Sequence, residues 1–155
     1  MSARENILKL ASIEDDTPAE YRLQEQIGFV LRKAHQRHVA IFASRIEDLT
    51  PPQFAALAML HETGETSQNQ LGQLVAMDAA TIKGVIDRLK ARGFLTVDKD
   101  DTDKRRLIVR ITPEGNRAVR ELVELAREIT QETLAPLSAR EAETLLRLLN
   151  KIASI

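Results

Sequence analysis

Apolar positions along the chain recur mostly at helical spacing. Leu23, Ile27, Val30, Ala34 and Ile41 fall on one face of a helix predicted over about 18–47. Ala118, Leu122, Leu125 and Ile129, widened by Val119 and Val123, mark a second amphipathic helix over 113–134. Ala142, Leu145, Leu148, Leu149 and Ile152 mark a third over 138–153. Between them lie shorter helical patterns at 51–62, 67–74 and 79–92, and then two strands, 94–98 and 106–111, around a hydrophilic tip. Helix starts are legible as capping boxes: Thr17-Pro18-Ala19-Glu20, Thr50-Pro51-Pro52-Gln53, Ser67-Gln68-Asn69-Gln70 and Ser138-Ala139-Arg140-Glu141. In the first two, proline takes the first helical position, where its missing N–H costs nothing. Thr112-Pro113 repeats this signal without the distal Glu, and Gly64 and Gly93 suit left-handed helix ends. Residues 1–16 carry Ile7, Leu8, Leu10 and Ile13, then Glu14-Asp15-Asp16. They read as a loose arm that docks on a partner subunit or as a frayed terminus; residues 17–155 read as one domain.

The central order of helix, turn, helix, strand, tip, strand is a winged helix-turn-helix, so the fold class is mainly α with a small β wing. In such a unit the second helix enters the DNA major groove. Leu71 and Leu74 are expected to bury the first of the two helices, and Asp78 to cap the second. Ile82, Val85, Ile86 and Leu89 then face the core, while Ala80, Thr81, Lys83, Gly84, Asp87 and Arg88 include the outward positions. Small residues let the helix approach base edges, Thr81 suits a base or a thymine methyl, and Lys83 suits guanine or phosphate. Ser67, Gln68 and Asn69 are natural phosphate contacts. The tip Asp103-Lys104-Arg105-Arg106 is placed to meet phosphate or the minor groove. Any one of these residues alone fits a solvated face; their combination, followed by a wing, points to a transcription factor.

Composition sharpens this picture in three places. Aromatic residues make up only 3% and Trp is absent, so aliphatic side chains must fill the core. Cysteine is absent, which excludes disulfides, thiolate catalysis and thiol redox sensing. The net charge of −1 divides unevenly, with nine Lys/Arg against six Asp in 78–110 and 13 basic against 17 acidic residues elsewhere. A positive reading head on a negative body suits local contact with double-stranded DNA. Without an 18-residue apolar run or a basic-then-apolar leader, a cytoplasmic protein with no membrane association is expected. The three long helices at the chain ends carry more apolar surface than the winged unit can cover. They are expected to pack together and across a two-fold axis, giving a homodimer; a monomeric bundle is the alternative.

From about Leu49 to Ile152 the chain resembles the MarR family of bacterial regulators. The resemblance is carried by Leu49-Thr50-Pro51-Pro52-Gln53-Phe54, by the run from Ile86-Asp87-Arg88-Leu89 through Arg92-Gly93-Phe94-Leu95, and by Asp103-Lys104-Arg105 followed by Ile111-Thr112-Pro113-Glu114-Gly115. The last pair is more specific than the helix-turn-helix alone. The resemblance implies an obligate dimer that reads a pseudo-palindrome, with Arg105 reaching the minor groove and Asp103 fixing the wing tip. Ala79-Ala80 stands where reading helices of this family often begin with Ser or Arg, so the operator sequence does not carry over.

The resemblance also implies release from DNA by a small, often aromatic, acid or a thioester bound between the dimer helices and the winged unit. Leu31, His35, His38 and Phe42 share one face of the first long helix, with Arg37 and Arg45 nearby. Phe54, Ala58, Met59 and His61 are candidates for the opposite wall. A protonated His or an Arg would pair with the carboxylate while apolar residues hold the ring. Alternatively Leu31 and Phe42 are core and the histidines face water. His35 and His38 also stand at the i, i+3 spacing of metal ligands, but one further His, no Cys and no anchored carboxylate argue against a metal. No cofactor is expected, and without a nucleophile–base pair or a phosphate-binding glycine loop neither is an enzyme. Two rivals stay open: a winged module that binds a partner protein, and a DNA-binding regulator without an effector.

Overall fold

Six α-helices and a three-stranded antiparallel sheet make up the computed structural model, which describes residues 20–154. A 3-10 turn at Leu23–Glu25 precedes α1 (Ile27–Arg45), α2 (Pro51–Thr63), β1 (Glu65–Ser67), α3 (Gln68–Leu74) and α4 (Ala79–Ala91). The wing strands β2 (Leu95–Lys99) and β3 (Leu107–Ile111) follow, then α5 (Pro113–Leu134) and α6 (Ala139–Ala153). Of the described residues, 20–34 belong to one compact unit and 35–154 to another. In the first unit Tyr21, Leu23, Ile27, Val30 and Leu31 are all exposed. The arm 1–16 and the Thr17 capping box lie outside the described residues.

The first long helix is shorter than its apolar stripe suggests. Gln26 is extended (φ −87°, ψ 131°) and its side-chain amide donates to Arg22 O at 3.0 Å, which separates the turn at Leu23–Glu25 from α1. The other boundaries fall within two residues of expectation, because the caps that set them form. Thr50 and Ser138 complete both halves of their boxes, whereas at Ser67 the side chain accepts from Gln70 N without the reciprocal bond. Gly64 and Gly93 close α2 and α4 at φ +78° and +77°, where a side chain would be strained. Phe94 N then donates to Leu89 O at 3.1 Å, completing a Schellman-type end.

The core of the second unit is aliphatic apart from Phe42. Ile41, Phe42, Ile46 and Leu49 meet Leu57 and Leu60 of α2, Leu71 of α3, the four apolar residues of α4, Val109 of β3, and Val119 and Ile129 of α5. The sheet runs in the order β1-β3-β2, with Ser67 opposite Ile108 and Leu95 opposite Ile111. The sequence reading expected two strands; β1, of three residues, is too short to show alternation. Arg110 on the central strand ties the sheet together, donating from Nε to Glu65 (2.5 Å) and from Nη1 to Asp98 (3.4 Å). No residue of α6 is buried: Leu145, Leu146, Leu148 and Ile152 are exposed. Among the described residues no helix is long and apolar enough to cross a membrane.

Candidate nucleic-acid interface and effector face

The turn between α3 and α4 is tight because Ala76 adopts φ +55° and Met77 N donates to Gly72 O at 2.8 Å. Gly72 lies at the crossing of the two helices, where a β-carbon would meet Met77 O at 3.1 Å and Ile82 Cγ2 at 3.2 Å. Leu71 is buried as expected, but Leu74 is 43% exposed. It belongs to the last turn of a seven-residue helix, beyond the crossing, and Val75 and Met77 pack against the core there instead.

Asp78 caps α4, accepting from Thr81 N at 2.7 Å; this backbone bond first, and then the Thr81 hydroxyl, holds its carboxyl below the usual range. α4 buries Ile82, Val85, Ile86 and Leu89. Ala80, Thr81, Lys83 and Arg88 are exposed and Gly84 is half-buried. Lys83 Nζ lies 2.8 Å from Asp87 Oδ2, one turn on, so in the free protein this lysine is paired across the reading face. Among the described residues Arg88 has no carboxylate within ion-pair distance.

The wing tip is organised by its own acidic residues. Asp100 Oδ1 accepts from the Thr102 N–H and hydroxyl, both at 3.1 Å, and its carboxyl sits below the usual range chiefly through the first of these bonds. Asp103 Oδ1 accepts from Arg105 N at 3.1 Å, while Asp103 O accepts from Arg106 N at 2.9 Å. The side chains of Lys104 and Arg105 have no carboxylate partner among the described residues, whereas Arg106 stands 4.0 Å from Asp100. Ser67, Gln68 and Asn69 face Asp103, Arg105 and Arg106 across a recess of about 410 Å³. Six residues nominated from two distant stretches of sequence therefore line one concave surface. Ser67 itself is buried, with its hydroxyl occupied as the α3 cap.

The effector candidates do not gather into one cavity in the single chain. Phe42 is 5% exposed and its ring centroid lies 6.2 Å from that of Phe54, a core contact. Met59 packs against the same core, His61 Nδ1 lies 2.7 Å from Asn116 Oδ1 on α5, and His35 is exposed. Arg37 and His38 meet the end of α5. Arg37 donates to Thr133 O (2.6 Å) and Glu132 O (2.9 Å), carbonyls of a helix end that favours cations. His38 Nδ1 lies 2.9 Å from Thr133 Oγ1, whose hydroxyl donates to Ile129 O at 2.8 Å. Burial, then the charge of His35, pushes the His38 imidazole below its usual range. Arg45 bonds Glu128 and Glu132, which stand one turn apart on α5.

A larger recess, about 650 Å³, opens between the α1–α2 connection, the start of β2 and α5. Arg45, Leu49, Arg92, Phe94, Arg117 and Leu122 are among its lining residues; of the residues named from sequence for the effector face, Arg45 alone is one of them. Arg92 stacks over Phe94 at 4.8 Å and donates to Asp48 O. The Arg92-Gly93-Phe94 run was visible in sequence as a motif, but nothing in its spacing revealed the recess. Among the described residues no three His, Asp or Glu side chains cluster as a metal site would require.

The model of the MarR family matches residues 49–107. The HTH-type transcriptional repressor NicR of Pseudomonas putida is 40% identical over 140 residues, 89% of this chain and 87% of that protein. A structure of Bordetella bronchiseptica BpsR, concerned with regulation of its DNA binding by 6-hydroxynicotinic acid, superposes with a TM-score of 0.84 at 41% identity, covering 88% of this chain and 99% of BpsR. The PcaV regulator of Streptomyces coelicolor, in complex with its natural ligand, gives a TM-score of 0.82 at 33% identity and covers 88% of this chain and 97% of PcaV.

Proposed function

The chain belongs to the MarR family of DNA-binding transcriptional regulators, which are not enzymes, and from that premise we propose that it is a homodimeric cytoplasmic repressor released from a pseudo-palindromic operator by a small aromatic acid. The observation that carries the DNA-binding site is the recess in which Gln68 and Asn69 face Arg105 and Arg106. In this reading α4 enters the major groove with Ala80, Thr81, Gly84 and Arg88 toward the bases. The start of α3 and the wing tip hold the flanking phosphates and the minor groove. Affinity comes mainly from phosphate neutralisation, so it falls steeply with salt. Binding of the purified protein to its own upstream DNA across a salt series tests this. Tight binding with a steep slope is the expected result; weak, salt-insensitive binding at every genomic site selected would favour a protein partner instead.

The exposed Leu145, Leu146, Leu148 and Ile152 on α6 support the dimer, since an apolar stripe of this size on a soluble helix is normally covered. Sedimentation should give the mass of two chains for the native protein. Leu148→Glu should shift it toward one chain and weaken operator binding with it. A native monomer that still binds DNA tightly would remove the two-fold reading.

Effector release is the third part of the proposal. NicR is a repressor and BpsR responds to 6-hydroxynicotinic acid, which supports an aromatic acid as the ligand class here. The effector face includes Arg37 and His38 where α1 meets the end of α5, with His35 one turn earlier. Binding there would favour a dimer geometry whose reading helices no longer match the half-site spacing, which requires a differential affinity of a few kcal/mol, about the scale of ordinary allosteric coupling.

A further inference from the structure

We propose that Gly84 is a specificity-determining position of the reading helix, where the missing side chain seats the 5-methyl group of a thymine in each half-site; this rests on the DNA-binding reading above. Glycine is the poorest helix former after proline, so a glycine in a helix interior calls for a compensating use. The chain has six glycines. Gly64 and Gly93 take positive φ, and at Gly72 and Gly115 a β-carbon would crowd neighbouring atoms. Gly28 is the second residue of α1, outside the helix interior. Gly84 is the sixth of the 13 residues of α4, has no positive φ, and has nothing within 4 Å of its β-carbon position. The fold therefore makes no use of this glycine, and its use lies with what the helix binds.

Its place on the helix points to a base edge. Ile82, Val85, Ile86 and Leu89 are buried, and at 3.6 residues per turn Gly84 falls on the opposite face, one turn after Ala80 and one turn before Arg88. The gap there offers no hydrogen bond. Gly84 presents only its Cα hydrogens, its N–H and C=O belong to the helix, and Ala80 adds a methyl group. The Thr81 hydroxyl faces the Asp78 carboxylate. A base amino or carbonyl group pressed into such a gap would lose water without gaining a partner. The thymine methyl is the apolar group that base pairs display in the major groove, and it gains from the same contact. Arg88, exposed one turn on, supplies charge for register, while the gap discriminates by shape.

The probe is the duplex that the full native chain selects from a random-sequence pool. Each thymine is replaced in turn, in both half-sites together, by deoxyuridine, which removes only the 5-methyl group. Fluorescence anisotropy then gives the affinity of the native protein and of Gly84→Ala. At one thymine position the native protein should lose about 15-fold, roughly fourfold for each methyl contact. Gly84→Ala should bind the thymine duplex about tenfold or more weakly than the native protein. Uracil at that one position should cost the variant nothing or restore its binding, a coupling absent at the other thymines. Equal binding of the thymine duplex by both proteins overturns the inference. So does a selected duplex with no thymine at which the two proteins differ in their response to uracil. Either result leaves the DNA-binding reading standing, whereas a native protein that selects no sequence sinks that reading and the inference with it. Should Gly84→Ala fail to fold, the native protein decides the matter with 5-bromodeoxyuridine, whose halogen takes the place of the methyl group. Photocrosslinking from one thymine position to the α4 peptide containing Gly84 is expected, and crosslinking from every position to other peptides overturns the proposal.

Discussion

Arg105→Ala is expected to weaken operator binding by roughly 1–3 kcal/mol and to lower the salt slope, while the dimer and the melting temperature stay unchanged. The side chain is exposed and no carboxylate among the described residues competes for it. Its backbone, in contrast, is held by the Asp103 carboxylate at 3.1 Å, so the guanidinium is presented from a formed turn. Ordering the tip before DNA arrives reduces the entropy lost on binding. A dimer would lose two such contacts on one operator. Fluorescence anisotropy with labelled operator across a salt series reads both quantities, and an unchanged affinity would remove the wing from the mechanism. Lys83 is a useful contrast, because it must first leave Asp87, and Lys83→Ala should therefore cost less than Arg105→Ala.

Gly115→Ala should lower stability by about 3 kcal/mol, the upper end of ordinary overpacking. For a chain of this size that is a drop in Tm of roughly 6–12 °C. A β-carbon at this position would overlap the Phe94 carbonyl oxygen and lie 2.8 Å from Ile111 Cγ1. Neither neighbour can retreat easily. Phe94 O accepts from Thr112 N at 3.0 Å, and Ile111 is paired with Leu95 in the sheet. Gly84→Ala is the control: nothing lies within 4 Å of its β-carbon position, and alanine favours the helix, so the fold should be unharmed. If Gly115→Ala melts with the native protein, the start of α5 is free to shift and the close packing described here is not required.

The helices were readable because their ends are written in local chemistry. Thr50, Ser67, Asp78, Thr112 and Ser138 all accept from a backbone N–H three residues on, as their positions ahead of apolar periods suggested. The faces of α4 were equally plain, since four apolar residues at helical spacing leave little choice of side. β1 was missed because three residues cannot show a period, and the break at Gln26 because no glycine or proline marks it. At the DNA face, residue types could be nominated from sequence, yet the pairing of Lys83 with Asp87 and the closeness of Gln68 and Asn69 to the wing are tertiary facts. The effector face was harder still. Leu31, His35, His38 and Phe42 share a helical face, but Phe42 turns into the core while His38 engages Thr133, a residue almost a hundred positions away that no local pattern connects to it.

The joint around Gly115 also determines what α5 can transmit. Thr112 Oγ1 accepts from Gly115 N and donates to Gly93 O at 2.6 Å, so the end of α4 and the start of α5 are stitched into a single corner. From Gly115 to Thr133 the helix extends about 27 Å at 1.5 Å per residue. Over such a rod a tilt of about 5° moves the far end by roughly 2.4 Å, about the width of one hydrogen bond. A molecule wedged beside Thr133 would therefore act on a long lever whose fulcrum holds the reading helix. Softening the fulcrum should uncouple the two ends even where both sites remain intact.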